Sequence, residues 1–91
     1  METLLTMLKA DLGILSSTAY DARLRQYIAS AKSFIIREGV LTLNASSPAD
    51  AQLIVMYAAW LWRRRDTMES MPPALRVALN DRKFREAVAN D

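Results

Sequence analysis

The chain is expected to fold as a small all-α bundle of about four helices, two long and two short. Three observations lead there. Only two glycines and three prolines occur in 91 residues, fewer turn formers than a small strand-rich domain needs. Ala, Leu, Arg and Met, all good helix formers, are plentiful. Apolar residues recur at helical spacing between clear start and stop signals. Hydrophobic residues make up 52% of the chain, which excludes a disordered tail, and the length fits one domain over residues 1–91.

The first helix, Glu2 to Asp11, sets Leu4, Leu8 and Leu12 four apart with Leu5 beside them, and Gly13 ends it in the left-handed conformation. Thr18 followed by Asp21 resembles a cap, with an acid near the positive end of the dipole. The second helix is expected from about Ala19 to Glu38, with Leu24, Tyr27, Ile28, Ala31, Phe34 and Ile35 on one side and Gly39 as the stop. Val40 to Ser46 reads as a connecting loop, because one short alternating stretch makes no sheet.

Ser47-Pro48-Ala49-Asp50 is a strong start: a capping Ser, Pro at the first helical position and an acid in the first turn. The third helix then runs to about Arg65, and Met68 to Pro73 breaks the pattern. A short fourth helix, Ala74 to Leu79, brings Leu75 and Leu79 to one face. Asn80-Asp81 is expected to stop it and to begin another short turn that holds Phe84 and Val88.

Composition narrows the function. Cys and His are both absent, so disulfides are excluded, a zinc site would need carboxylates alone, and the commonest general base and strongest nucleophile are missing. The ten acids are spread singly, mostly at expected helix ends, and no Gly-rich phosphate loop is present. Neither an enzyme nor a bound cofactor or metal is expected. Glu2, with no basic cluster before an apolar core, gives no secretory signal. The longest apolar run, Leu53 to Trp62, rises about 15 Å as a helix, roughly half a bilayer core, so no membrane partner is expected.

The net charge of +2 is unevenly placed. Between Ala59 and Arg85 stand Arg63, Arg64, Arg65, Arg76, Arg82, Lys83 and Arg85 against Asp66, Glu69 and Asp81. Arg63-Arg64-Arg65 at a helix C-terminus complements the dipole and covers apolar surface with its stems. The functional reading of the same triad is contact with an acidic partner or with DNA phosphate, although no recognition-helix pattern accompanies it.

The third helix is the more informative feature, since Leu53 to Trp62 leaves almost no polar face. Either the other helices wrap it, or it is shared between this chain and a neighbouring subunit; the two can coexist. Trp60 and Trp62 point to nearly opposite sides, about 200° apart. Trp60, with Leu53, Met56 and Tyr57, is assigned to the core. Trp62, with Val55, Ala58 and Ala59, is assigned together with Arg63, Arg64 and Arg65 to an interface with another subunit.

Four blocks of sequence resemble the small head-tail connector (adaptor) proteins of tailed bacteriophages and prophages. They are Lys9-Ala10-Asp11-Leu12-Gly13-Ile14; Tyr20-Asp21-Ala22-Arg23-Leu24 leading through Ile28 to Ala31-Lys32-Ser33-Phe34-Ile35 and Arg37-Glu38-Gly39; Met56-Tyr57-Ala58-Ala59-Trp60-Leu61-Trp62-Arg63; and Met71-Pro72-Pro73-Ala74-Leu75-Arg76 through Ala78-Leu79-Asn80-Asp81-Arg82. Order, spacing and total length carry the resemblance, and the loop from Val40 to Ser46 matches no block. It implies a helical structural subunit of the virion, made in the host cytoplasm, that forms a homo-oligomeric ring at the head-tail junction. Such a ring docks on the portal protein, extends the DNA channel without reading sequence, and offers a platform to a tail-side connector or tail completion protein. Two readings from other classes stand beside it. One is a small helical nucleic-acid-binding module using the basic stretch 63–85. The other is a regulator that docks a partner helix in an apolar groove.

Overall fold

A computed structural model describes residues 2–89 and contains four α-helices in the order α1 (Glu2–Leu12), α2 (Asp21–Arg37), α3 (Pro48–Arg64) and α4 (Pro73–Ala89). Helix α3 is the centre. It packs on each of the other three, most extensively on α2, and α1 also leans on α2. The molecule measures 44 × 28 × 18 Å. Its thin dimension holds about two helix layers, so the outer helices keep one side in solvent.

The core follows the periodicities. Leu4, Leu5 and Leu8 of α1, Leu24, Ile28, Ala31 and Ile35 of α2, and Leu75 and Leu79 of α4 are buried. They surround Leu53, Ile54, Val55, Tyr57, Ala58, Ala59 and Trp60 of α3. Of the two readings of the apolar helix, the structure has the wrapped one. The helix lacks a polar face because three neighbours enclose it.

Both glycine stops hold. Gly13 has φ +75° and Gly39 φ +113°. After α1 the Ile14 N–H donates to the Lys9 carbonyl (3.0 Å) and the Gly13 N–H to that of Ala10 (3.2 Å), a pairing that satisfies two end carbonyls. Gly39 and Val40 repeat it on Ile36 and Ile35 (3.0 and 3.4 Å), and the following Val40 is driven fully into the core. The expected loop from Val40 to Ser46 therefore begins with a core residue. Past α3 the chain turns at Met68, a non-glycine residue at φ 55°.

Three expectations need correction. First, α4 is one helix of 17 residues, so the bundle has one short helix and three of equal length. Asn80-Asp81 does not stop it. Their helix propensities cost only a few tenths of a kcal/mol, and the Arg82–Glu86 ion pair four residues apart ties the second half on. Second, α2 starts at Asp21 with Tyr20 as N-cap, and no side chain caps it. Thr18 contributes only its carbonyl, to the Asp21 N–H (3.3 Å), while Asp21 pairs with the buried Lys9 of α1 at 2.9 Å. Third, Ser47 sits at the N-cap of α3 in extended conformation, but its hydroxyl makes no capping hydrogen bond. Its carbonyl accepts the Ala51 N–H (2.8 Å), a bond any residue supplies. Ser47→Ala is thus expected to change stability by no more than a few tenths of a kcal/mol, rather than the ~1 kcal/mol of a lost cap. Urea denaturation of the two proteins measures it, and a loss near the full cap value would show that the hydroxyl does bond in solution.

Candidate functional site

The residues assigned to an interface from sequence do not form one surface. Val55, Ala58 and Ala59 are 2%, 0% and 1% exposed, so they belong to the chain's own core and cannot meet a second subunit. This corrects the assignment. The smooth face suited to close helix approach is used by a helix of the same chain.

Trp62 is partly buried, edge-on to Tyr20 (centroids 5.3 Å apart) and Tyr27 (6.0 Å), so it closes the seam between α3 and α2. Trp60 is buried as expected. It meets Tyr57 edge-on at 5.4 Å, and its indole N–H donates to the Glu69 carbonyl at 3.1 Å, pinning the chain that leaves α3.

The arginine triad is exposed but largely folded back on its own helix. The Arg64 guanidinium lies 4.9 Å from the Trp60 ring centroid and that of Arg65 3.6 Å from Trp62. Arg65 also donates to the Trp62 carbonyl, and Arg63 reaches Asp11 at 3.8 Å. These contacts realise the stem-covering role, with cation–π attraction added.

Elsewhere in the basic stretch, Lys83 pairs with Glu38 (3.3 Å), and Arg82 is taken into the interior. Of the basic residues in the stretch 63–85, only Arg76 and Arg85 carry no direct ion pair or ring contact with a described residue.

Arg82 is the hub of a site that sequence reading missed. Its Nε lies 2.8 Å from Asp50 Oδ1 in the first turn of α3, and its Nη1 3.1 Å from Glu86 Oε1 one turn on. Its Nη2 donates to the Thr42 hydroxyl and carbonyl at 3.2 and 3.3 Å. The Thr42 hydroxyl donates to Glu86 Oε1 at 2.6 Å, and the Asn44 N–H to Asp50 Oδ2 at 2.9 Å. Asp50 and Glu86 are each 5% exposed. Burial pushes the Asp50 pKa up, but the hydrogen bonds from Arg82 and Asn44, with the charges of Arg82 and Arg85, outweigh it and hold the carboxyl below its ordinary 3.8.

Two acids thus do converge, contrary to the even spread seen in sequence. A cation stands between them, however, and their lone pairs are taken by the loop. The arrangement is a clasp joining loop 40–47, α3 and α4, with Asp50 held as an anion rather than poised to transfer a proton. Only the spacing of Arg82 and Glu86 hinted at it; Asp50 looked like a dipole partner and Thr42 like a loop residue.

Outside the clasp, α4 is unusual. Val77, Phe84 and Val88 are 62%, 70% and 56% exposed. At 100° per residue they fall within about 40° of one another, roughly opposite the buried Leu75, Leu79 and Glu86. The helix is apolar on two faces, and the chain covers one. Three clefts, of about 270, 660 and 340 Å³, run along α3 on the α1 and α4 sides with Gln52 lining all of them, and the first, between α3 and α4, is also lined by Asp50, Asp81, Arg82 and Arg85.

Among the described residues no three potential ligands gather as a metal ion would require, and no helix is long and apolar enough to cross a membrane. Fold and surface together define a small four-helix protein, clasped internally by ions, with one apolar helix face left bare. Comparison with protein-family models, with curated proteins and with solved structures finds no match to the chain.

Proposed function

We propose that the chain is a non-enzymatic structural subunit that assembles with other polypeptides, and that its assembly is the head-tail connector ring of a tailed phage or prophage. The observation that carries the assembly role is the bare stripe of Val77, Phe84 and Val88 on α4. Three aligned large apolar side chains opposite a helix's core face are the pattern of a surface that another chain covers. The connector reading adds the four resembling blocks, which fall one on each helix, in order. In that reading the portal protein and a tail-side component are the further partners, and DNA passes through the channel without sequence recognition. The place of action is the virion's head-tail junction, after assembly in the host cytoplasm.

Negative-stain imaging of the concentrated protein, alone and with purified portal, tests this reading. Closed rings, or a collar added to the portal, are expected. Neither appearing at any concentration would overturn the connector assignment.

A further inference from the structure

We propose that the face of α4 carrying Val77, Phe84 and Val88 pairs, antiparallel and about a two-fold axis, with the same face of a second copy of this chain. The occupant follows from charge as well as from apolar area. Asp81 and Arg85 are both exposed, and neither makes a direct ion pair with a described residue. Arg85 acts on Asp50 only through its field. On the helical wheel Asp81 lies about 40° and Arg85 about 80° from Val77, both to the same side of the stripe.

A two-fold axis perpendicular to two antiparallel helices returns each flank to its own side. Asp81 of one copy can then meet only residues on the corresponding flank of the other. Register decides which. Pairing Val77 with Val88 of the other copy puts the axis midway between positions 82 and 83. Pairing Asp81 with Arg85 puts it at position 83. The two differ by half a residue, under about 1 Å of rise. One register therefore joins the apolar ends, stacks the two Phe84 rings near the axis and forms two reciprocal Asp81–Arg85 pairs. A parallel two-fold pair would turn the charged flanks to opposite sides, where they cannot meet. The stripe is self-complementary in one orientation, as an isologous contact requires.

The pair does not depend on the ring reading and takes the bare stripe for itself, so a ring of such chains would be joined through other surfaces. A two-fold contact closes on itself and adds no third subunit. One helix against one helix falls short of the about 800 Å² per partner of a standard interface, so the dimer is expected to be concentration-dependent.

Sedimentation equilibrium of the wild-type chain and of charge-swapped variants tests the pairing, with circular dichroism to establish that each variant is folded. Asp81→Arg and Arg85→Asp each set like charges opposite one another twice per dimer. Each alone is expected to weaken dimerisation by about tenfold or more. The double variant D81R/R85D, in which every pair is restored with reversed sign, is expected to dimerise again, as is an equimolar mixture of the two single variants. Phe84→Ser is expected to abolish the dimer without the charge change.

A wild-type chain that stays monomeric throughout, single swaps that dimerise as wild type, or a double swap that stays monomeric would each overturn the proposal. Rings that form equally well from wild type, D81R and R85D, with no dimer in the free chain, would overturn the α4 pair and leave the connector reading standing. Dimers that obey the charge swap, with no rings on the portal, would support the pair and count against the connector.

Discussion

Arg82→Met is expected to destabilise the fold by about 3–5 kcal/mol, the usual cost of removing one partner from a buried ionic group. Arg82 is 11% exposed at its side chain, and its removal would leave Asp50 and Glu86 buried in the same place without a cation. Three structural units would lose their common link: the loop through Thr42, the first turn of α3 and the second half of α4. That half of α4 depends on the clasp especially, because beyond Leu79 its buried residue is Glu86 and not an aliphatic one.

The effect has a pH signature. The Asp50 carboxyl titrates below its ordinary value in the folded chain, so its ionised form stabilises the fold at pH values above the ordinary 3.8. That contribution is lost as pH falls through the depressed folded pKa. Urea denaturation of wild type and variant at neutral pH and near pH 3 should therefore show a large gap that narrows in acid. A neutral-pH difference under about 1 kcal/mol would mean that the clasp behaves as a solvated surface pair.

Trp60→Ala is expected to cost about 3–5 kcal/mol, as large core truncations do. The ring is 8% exposed, stands edge-on to Tyr57 and carries the Arg64 guanidinium on its outer face. Truncation would also strand the Glu69 carbonyl that accepts the indole N–H. Trp62→Ala is expected to cost about 2 kcal/mol, because it loses two edge-on tyrosine contacts at a partly solvated seam. Equilibrium unfolding of both variants checks the order. A more damaging Trp62 substitution would mean that the seam between α2 and α3, and not the centre of α3, dominates stability. Both tryptophans make intrachain contacts, Trp60 at the more deeply buried position and Trp62 at the more open one.

Much of this fold was legible in the residues because the signals are local. Helix number, the stops at Gly13 and Gly39, the start at Pro48 and the core stripes of Leu4–Leu8 and Leu24–Ile35 depend on spacing and on backbone conformations that a few residue types dictate. The nearly all-apolar character of α3 was legible too, and so was the expectation that something covers it. Which chain covers it was not. An apolar face looks the same in sequence whether its neighbour is α2 or another subunit, and Val55, Ala58 and Ala59 were assigned outward on that account.

Tertiary structure alone decided three matters. It carried α4 through Asn80-Asp81, because a clasp among residues up to 44 positions apart outweighs a weak local preference. It gathered Asp50, Arg82, Glu86 and Thr42, since charges distant in sequence reveal a shared site only when the chain is folded. And it turned Val77, Phe84 and Val88 to solvent, because α4 has apolar residues on two faces while α3, the helix it packs on, can bury only one of them.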